Sequence, residues 1–292
     1  MSPAAERASD GLEPNFADRP GFPHLVRLVC LDIDGTLLDS SSRLREGVRA
    51  AVVRAARTGL HITLSTGRNL DSTLPIVAAL GVTPSIISSG GSHLRSSAGR
   101  TQEITLSPEE AQYIAGIGLD NGSGLFIDYA ERSWAMGAED YLSLYSHLSH
   151  SAPMDLIPDP WIPAPLKISL INERGALDRM KPEILALYPD LQMASPFENV
   201  VDITPQASTK GNALRALAGM LDISLIQTAA VGDSENDLSN FAVAGLSIAM
   251  GNAPVDVKLA ADWVAPPNDQ EGAAWALDRI LESNKQIAIP LD

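Results

Sequence analysis

Four short segments of the chain carry side chains that could do chemistry together. Asp32-Ile33-Asp34-Gly35-Thr36 sets two carboxylates two residues apart, on one side of the backbone if it is extended. Asp-x-Asp-Gly also opens calcium loops, but Leu37 stands where such a loop needs glycine and Arg43 where it needs glutamate. A plain turn is the other reading. Ser65-Thr66-Gly67-Arg68 offers a hydroxyl, a glycine and exposed backbone N–H groups, a set that suits an oxyanion and is also a common turn. Lys210 follows Ser208, which reads as the N-cap of a helix to about Leu221. A lysine in a first helical turn opposes the helix dipole by about 0.3–1 kcal/mol. An anion between it and the helix end would give it a role, and a solvated lysine is the alternative. Gly232-Asp233-Ser234-Glu235-Asn236-Asp237 puts Asp237 one helical turn beyond Asp233, facing the same way.

The combination says more than the parts. Asp32, Asp34 and Asp233, with Asp237 behind them, would crowd negative charges into one place. At ~4 Å and an effective dielectric of ~20, each like-charge pair costs about 4 kcal/mol, which a protein tolerates only around a cation. An all-oxygen donor set with few positions points to Mg2+, which keeps waters and takes one or two carboxylates plus phosphate oxygens. Zinc is disfavoured, because neither His-Glu-x-x-His nor a paired-cysteine spacing occurs. A nucleotide P-loop is absent as well. Gly232-Asp233-Ser234 invites a serine-hydrolase reading, which needs a histidine base. All five histidines (His24, His61, His93, His147 and His150) precede Ser234, and nothing around any of them suggests a triad.

Each segment lies where a strand ends or a helix begins, and in open α/β sheets ligands bind outside the carboxyl ends of the strands. Buried strands are expected at Leu25–Leu31, Leu60–Ser65, Ser85–Ser88, Leu225–Val231 and Gly245–Met250, from their short apolar runs. A helix from Glu46 to Thr58 is closed by Gly59. This is the rhythm of a parallel α/β sheet. Between its halves the pattern changes. Ser107-Pro108-Glu109-Glu110 is a capping box with proline at the first helical position. Strand-like pieces follow at Leu125–Tyr129 and Lys167–Ile171, separated by prolines 153, 158, 160, 163 and 165. A helix from about Ala176 to Tyr188 and extended segments to Ile203 complete the middle third. The middle third is thus α+β, inserted into an α/β sheet.

The formal charge of −15, from 36 acidic against 21 basic residues with no Lys/Arg run, argues against binding DNA or an anionic membrane surface. Cys30, the single cysteine, lies in an apolar run and reads as a buried structural thiol. No apolar stretch reaches the ~18 residues of a membrane span. Residues 1–24 carry four prolines, several charges and no apolar core, and read as a flexible tail rather than a signal peptide. The expected compartment is the cytoplasm, and a chain of 292 residues is expected to form two domains.

Taken in order, the segments resemble the haloacid dehalogenase superfamily of phosphatases, in particular the Cof-type subfamily with a large α/β (C2-type) cap. Asp32-Ile33-Asp34-Gly35-Thr36-Leu37 is similar to its first motif and Thr66-Gly67-Arg68 to its second. Ser208-Thr209-Lys210-Gly211 is similar to the third, and Gly232-Asp233 through Asn236-Asp237 to the fourth. Further matches are Met250-Gly251-Asn252-Ala253, Ala261-Asp262-Trp263-Val264 and Asn268-Asp269-Gln270-Glu271-Gly272, so the likeness runs from 25 to 283. Where the family usually has Asn-Gly-Ala, this chain has Gly90-Gly91-Ser92, a departure that bears on a supporting contact and not on the core chemistry.

The resemblance implies a Rossmann-like parallel-sheet core, 25–106 and 204–292, with helices on both faces, and an inserted α+β cap, 107–203, that closes over the site. It implies hydrolysis of a small phosphorylated metabolite, such as a sugar phosphate, by a monomer or homodimer. Asp32 would be the nucleophile, and Asp34 the general acid and then base, a task that asks for a pKa well above the ~3.9 reference, held up by neighbouring carboxylates. Thr66, Gly67, Arg68, Lys210 and Asn236 would bind substrate. Mg2+ would sit on Asp32, the Asp34 carbonyl and Asp233, with Asp237 or Asn236 in support. Tyr129, Trp134, Tyr141 and Trp161 are candidate cap residues facing the site.

Overall fold

The computed structural model describes residues 24–130, 132–149, 155–156 and 163–288. The proposed N-terminal tail (all but His24), prolines 153, 158 and 160, and Trp161 lie outside them. The chain runs β1 (Leu28–Leu31), α1 (Glu46–Arg57), β2 (His61–Ser65), α2 (Leu70–Leu80), β3 (Ser85–Ser88), β4 (His93–Arg95), β5 (Thr101–Glu103) and α3 (Pro108–Asp120). There follow β6 (Gly124–Asp128), β7 (Ser133–Gly137), α4 (Glu139–Ser149), β8 (Asp155–Leu156), β9 (Lys167–Ile171), α5 (Arg174–Leu187), β10 (Leu191–Ala194) and β11 (Val200–Pro205). The last stretch is α6 (Lys210–Met220), β12 (Thr228–Gly232), α7 (Leu238–Phe241), β13 (Leu246–Ala249), α8 (Val255–Leu259), β14 (Trp263–Val264) and α9 (Gly272–Ala288).

Two sheets result. The first has the order β14-β13-β12-β1-β2-β3-β4-β5, with every pairing from β14 to β3 parallel and β3-β4-β5 antiparallel. β1 lies near its centre and is buried throughout. Val29 and Leu31 pack with Val48 and Val52 of α1 and with Leu277 and Ile280 of α9. Leu28 and Cys30 pack on the other side with Leu214 and Leu217 of α6. A strand covered on both faces must be apolar at every position, which is why Leu28–Leu31 shows no alternation. The thiol of Cys30 is pushed up to about 12 by its burial, as the structural reading of that residue requires.

The second sheet has the order β10-β11-β9-β6-β7-β8 and is antiparallel except for β7 and β8. One face (Leu125, Ile127, Ile168, Leu170, Val201, Ile203) packs on Ile114 of α3 and on Leu177, Met180 and Ile184 of α5. The other (Phe126, Ala135, Ile171, Val200) packs on Leu142 and Tyr145 of α4. The capping box at Ser107 forms as expected, with Ser107 Oγ accepting from Glu110 N and Glu110 Oε2 accepting from Ser107 N.

Two local expectations are corrected. Leu225–Gln227 is a 3-10 turn and not the start of a strand; Leu225 packs partly on the α6 cluster, but Ile226 is exposed, so its apolarity reflects no burial. The N-cap of α6 is Thr209 rather than Ser208. Thr209 Oγ1 accepts from Asn212 N at 3.1 Å, while Ser208 Oγ is buried without a hydrogen-bond partner.

Candidate active site

β1 delivers Asp32, whose N–H donates to Val231 O at 3.0 Å, so the end of β1 is pinned to β12. β12 ends in Gly232 and delivers Asp233, and α6 begins at Lys210. These ends bring together Asp32, Asp233 and Asp237, each offering a carboxylate oxygen within 4.8 Å of the others. Lys210 Nζ sits among them, 2.6 Å from Asp32 Oδ1 and 2.8 Å from Asp237 Oδ1, in a side chain only 1% exposed. The lysine that opposes the dipole of α6 therefore has its anions, and they are carboxylates of the protein.

Three carboxylates against one ammonium leave a double negative charge. The fields respond accordingly. Burial works against the Lys210 charge, but Asp237 and Asp32 outweigh it and raise the ammonium above its ordinary value. Burial pushes the Asp32 carboxyl well up against the pull of Lys210, with Asp237 and Asp233 adding to the rise. Burial and Asp237 raise Asp233 to about 6, opposed by a hydrogen bond from Thr36. A divalent cation would remove this penalty, and the donor set of hard carboxylate oxygens fits such an ion.

Asp237 acts chiefly as a brace. Its oxygens already accept four hydrogen bonds, from Lys210 Nζ, Asp233 N, Ser234 N and Ser234 Oγ. Asn236 is exposed, its Oδ1 accepting from Ser234 Oγ at 2.9 Å. The bonds of Ser234 Oγ go to Asn236 and Asp237 and not to a histidine, which leaves the serine-hydrolase reading without a base among the described residues.

Asp34 does not join the cluster. The chain turns at Gly35 (φ +78°), where a Cβ would overlap the Asp233 carboxylate. The Asp34 carboxylate is instead gripped in two-pronged fashion by Arg68, Nε to Oδ2 at 2.7 Å and NH2 to Oδ1 at 2.6 Å, with 53% of the Asp34 side chain exposed. Arg68 comes from the loop after β2. Thr66 N donates to Ile87 O and Thr66 Oγ1 accepts from Arg68 N at 3.1 Å. Thr66 is buried at the mouth of the sheet, next to Gly67.

Sequence reasoning missed two supporting side chains. Thr36 Oγ1 donates to Asp233 Oδ1 at 3.1 Å. Asn252 Nδ2 donates to Gly35 O at 2.9 Å and Asp233 Oδ2 at 3.3 Å, tying the first and fourth segments together. The match at Met250–Ala253 was the signal for Asn252. At the departure from Asn-Gly-Ala, Gly90 (φ +70°) has open space where a Cβ would stand, whereas Gly91 (φ +110°), the glycine both share, lies so near the Thr209 carbonyl that a Cβ would overlap it. Of the candidate cap aromatics, Tyr129 and Trp134 pack on the α3/α5 face of the second sheet and Tyr141 on the α4 cluster.

The haloacid dehalogenase-like hydrolase family model matches residues 29–277. The chain belongs to this family. The chain is similar to phosphatase YwpJ of Bacillus subtilis, 26% identical over 294 residues, covering 88% of this chain and 100% of that protein. It is also similar to the 5-amino-6-(5-phospho-D-ribitylamino)uracil phosphatase YwtE of the same organism, 27% identical, covering 88% and 98%. A haloacid dehalogenase-like hydrolase from Bacteroides thetaiotaomicron superposes with a TM-score of 0.80 at 24% identity, covering 87% of this chain and 99% of its own, which establishes the shared fold of core and cap. The family's cap is the second sheet with α3, α4 and α5. Full-length relatives named phosphatases support a phosphatase. Among the described residues, no helix is long and apolar enough to cross a membrane.

Proposed function

We propose that this chain is a Mg2+-dependent phosphatase acting on a small phosphorylated metabolite, a sugar phosphate or a compound of similar size, through an aspartyl-phosphate on Asp32. The observation that carries the reading is the buried cluster of Asp32, Asp233 and Asp237 around Lys210 at the carboxyl ends of β1 and β12. An Asp32 oxygen attacks phosphorus, the bond to the leaving oxygen breaks, and Asp34, which must first leave its two bonds from Arg68 and take up a proton, gives that proton to the leaving oxygen. Asp34 then takes a proton from water, whose oxygen attacks phosphorus and releases phosphate, restoring the Asp32 carboxylate. Lys210 holds Asp32 in place and offsets charge on the phosphoryl oxygens, and Thr66 with the Gly67 backbone binds those oxygens. Asp32 and Asp233, with the Asp34 carbonyl, would hold the divalent cation, which when bound neutralises phosphoryl charge. Residues 107–203 serve as the cap that excludes water. Charge keeps phosphorylated metabolites inside cells, so the cytoplasm is the compartment this reading assigns.

The test is release of inorganic phosphate from a panel of sugar phosphates, nucleotides, pyridoxal phosphate, phosphoglycolate and the substrate named for YwtE, with Mg2+ and with EDTA. Mg2+-dependent release from one or a few members, abolished in Asp32→Asn with the fold intact, supports the reading. An Asp32→Asn variant of near-normal activity would refute the mechanism. A new phosphorylated sugar in place of free phosphate would make the chain a phosphotransferase.

A further inference from the structure

Lys167, the first residue of β9, is a second buried cation, with its side chain 4% exposed. Its Nζ lies 3.2 Å from Asp202 Oδ2 and 3.3 Å from Asp128 Oδ2, and donates to the Gly67 carbonyl at 3.2 Å. The remaining oxygens of both carboxylates are engaged: Ser169 Oγ donates to Asp202 Oδ1 and Ser133 Oγ to Asp128 Oδ1, each at 2.5 Å. Ser133 Oγ in turn accepts from Asn69 Nδ2 at 2.7 Å. Register explains the gathering. Asp128 pairs with Lys167 and with Ser133, and Asp202 with Ser169, so alternation sets all five side chains on one face of the cap sheet.

Two bonds thus cross from cap to core, and both end on the loop after β2, one at Gly67 and one at Asn69. Between those residues lies Arg68, which grips Asp34. Burial works against the Lys167 charge, but Asp202, Tyr145 and Asp128 outweigh it and hold the ammonium well above its ordinary value, so it remains a donor throughout the working pH range. A cap that needed stability alone would do as well with apolar side chains here, since buried ion pairs are weak contributors to stability. The directed bonds to Gly67 and from Asn69 are what apolar side chains could not supply.

We propose that Lys167 is a positioning residue: with Asp128 and Ser133 it clamps both flanks of Arg68 and so sets the Arg68–Asp34 pair at the active site. The clamp rests on the phosphatase reading, because the role of Asp34 belongs to that reading.

The test compares the full-length protein with Ser133→Ala, Ser133→Thr and Lys167→Met, by amide hydrogen exchange and by steady-state phosphate release. Ser133→Ala keeps every charge of the cluster paired. Exchange should quicken roughly tenfold at Thr66, Arg68, Ser89 and Gly90, whose amides are bonded within or beside the loop, while β6 and β9 keep wild-type rates. kcat should fall roughly tenfold, about 1.4 kcal/mol of barrier, with KM unchanged, and Ser133→Thr should restore both. Lys167→Met should act in the same direction and further. Should it also expose β6 and β9, Ser133→Ala alone decides. Wild-type loop exchange and kcat in Ser133→Ala would overturn the clamp, and so would a change confined to KM, which marks a substrate contact. Exchange needs no substrate, so a wild-type protein that releases no phosphate would undo the phosphatase reading and still leave the clamp to be decided.

Discussion

Replacing Lys210 with methionine removes one charge from the cluster and keeps most of the stem's volume. In the wild type, Nζ is 2.6 Å from Asp32 and 2.8 Å from Asp237, out of contact with solvent. Removing one partner of a buried ion pair costs about 3–5 kcal/mol, because the charges left behind are uncompensated. At ~2–4 °C per kcal/mol for a protein of this size, the variant should melt on the order of 10 °C below wild type in EDTA. Mg2+ should behave in the opposite sense. An ammonium in the same cluster repels a divalent ion by several kcal/mol even at an effective dielectric of ~20. The variant should therefore bind Mg2+ at least about tenfold more tightly and recover part of its lost stability. Turnover should still fall, on the order of 10²- to 10³-fold, the usual effect of deleting one group that stabilises transition-state charge. Scanning calorimetry in EDTA and in graded Mg2+, titration calorimetry and phosphate release measure the three quantities. In an Asp237→Asn background the cost of removing Lys210 should shrink, since one stranded carboxylate is gone. A Lys210→Met protein that melts with wild type in EDTA and binds Mg2+ no more tightly would refute the charge argument.

Two further outcomes follow from the same geometry. Asp233, raised to about 6 by burial and Asp237, takes up a proton in the folded protein at a pH where the unfolded chain, with its ordinary value of 3.8, does not. Its contribution to metal-free stability is therefore most favourable at low pH and declines as pH rises through 6. His93, whose pKa burial lowers, acts in the opposite direction, so the comparison must be with Asp233→Asn: in EDTA the variant should melt well above wild type at pH 7.5, and the gap should narrow to about half by pH 5 and close only as pH falls through the unfolded value of 3.8. A gap that widens on acidification contradicts the assignment. Asn252→Ala cuts the tie between Gly35 O and Asp233 Oδ2. It should weaken Mg2+ binding about 10- to 100-fold, as loss of a ligand's outer hydrogen bond does. Unchanged affinity in titration calorimetry would assign Asn252 to loop packing alone.

How far this architecture can be read from sequence depends on whether local rules decide it. Leu28–Leu31 is apolar at every position, and only a strand covered on both faces satisfies that. Ser107 and Glu110 make a reciprocal cap that needs no tertiary partner, so the start of α3 was legible to the residue. Neighbouring hydroxyls are a harder case: Ser208 and Thr209 have the same capping chemistry, and only the path of the chain into α6 selects Thr209. The placement of Asp34 shows the same limit. Two-residue spacing brings carboxylates together only while the backbone stays extended, and the helical backbone of Ile33, between the two, breaks that alternation, with Arg68 from another loop meeting Asp34. Motif spacing located the loops. The pairing of charges within them required the fold.

The two buried lysines sharpen this point. Each is the first residue of its element, Lys210 of α6 and Lys167 of β9, and each lies between two aspartates distant in sequence. Only Lys210 could be suspected in advance, because a cation in a first helical turn defies the dipole. A lysine opening a strand defies nothing, and KISLI reads as an apolar strand with a solvated end. What distinguishes the sites is the fate of the excess negative charge. In the core, three carboxylates face one ammonium, and burial lifts the carboxyl pKa values, which is the signature of a place that wants a cation. In the cap, two carboxylates face one ammonium, and hydroxyls from Ser133 and Ser169 take up the rest. That cluster is closed, and what it presents outward is an ammonium donating to Gly67 and a hydroxyl accepting from Asn69. One lysine thus leaves its site short of positive charge, where chemistry on a phosphoryl group can use it. The other is spent on holding a loop.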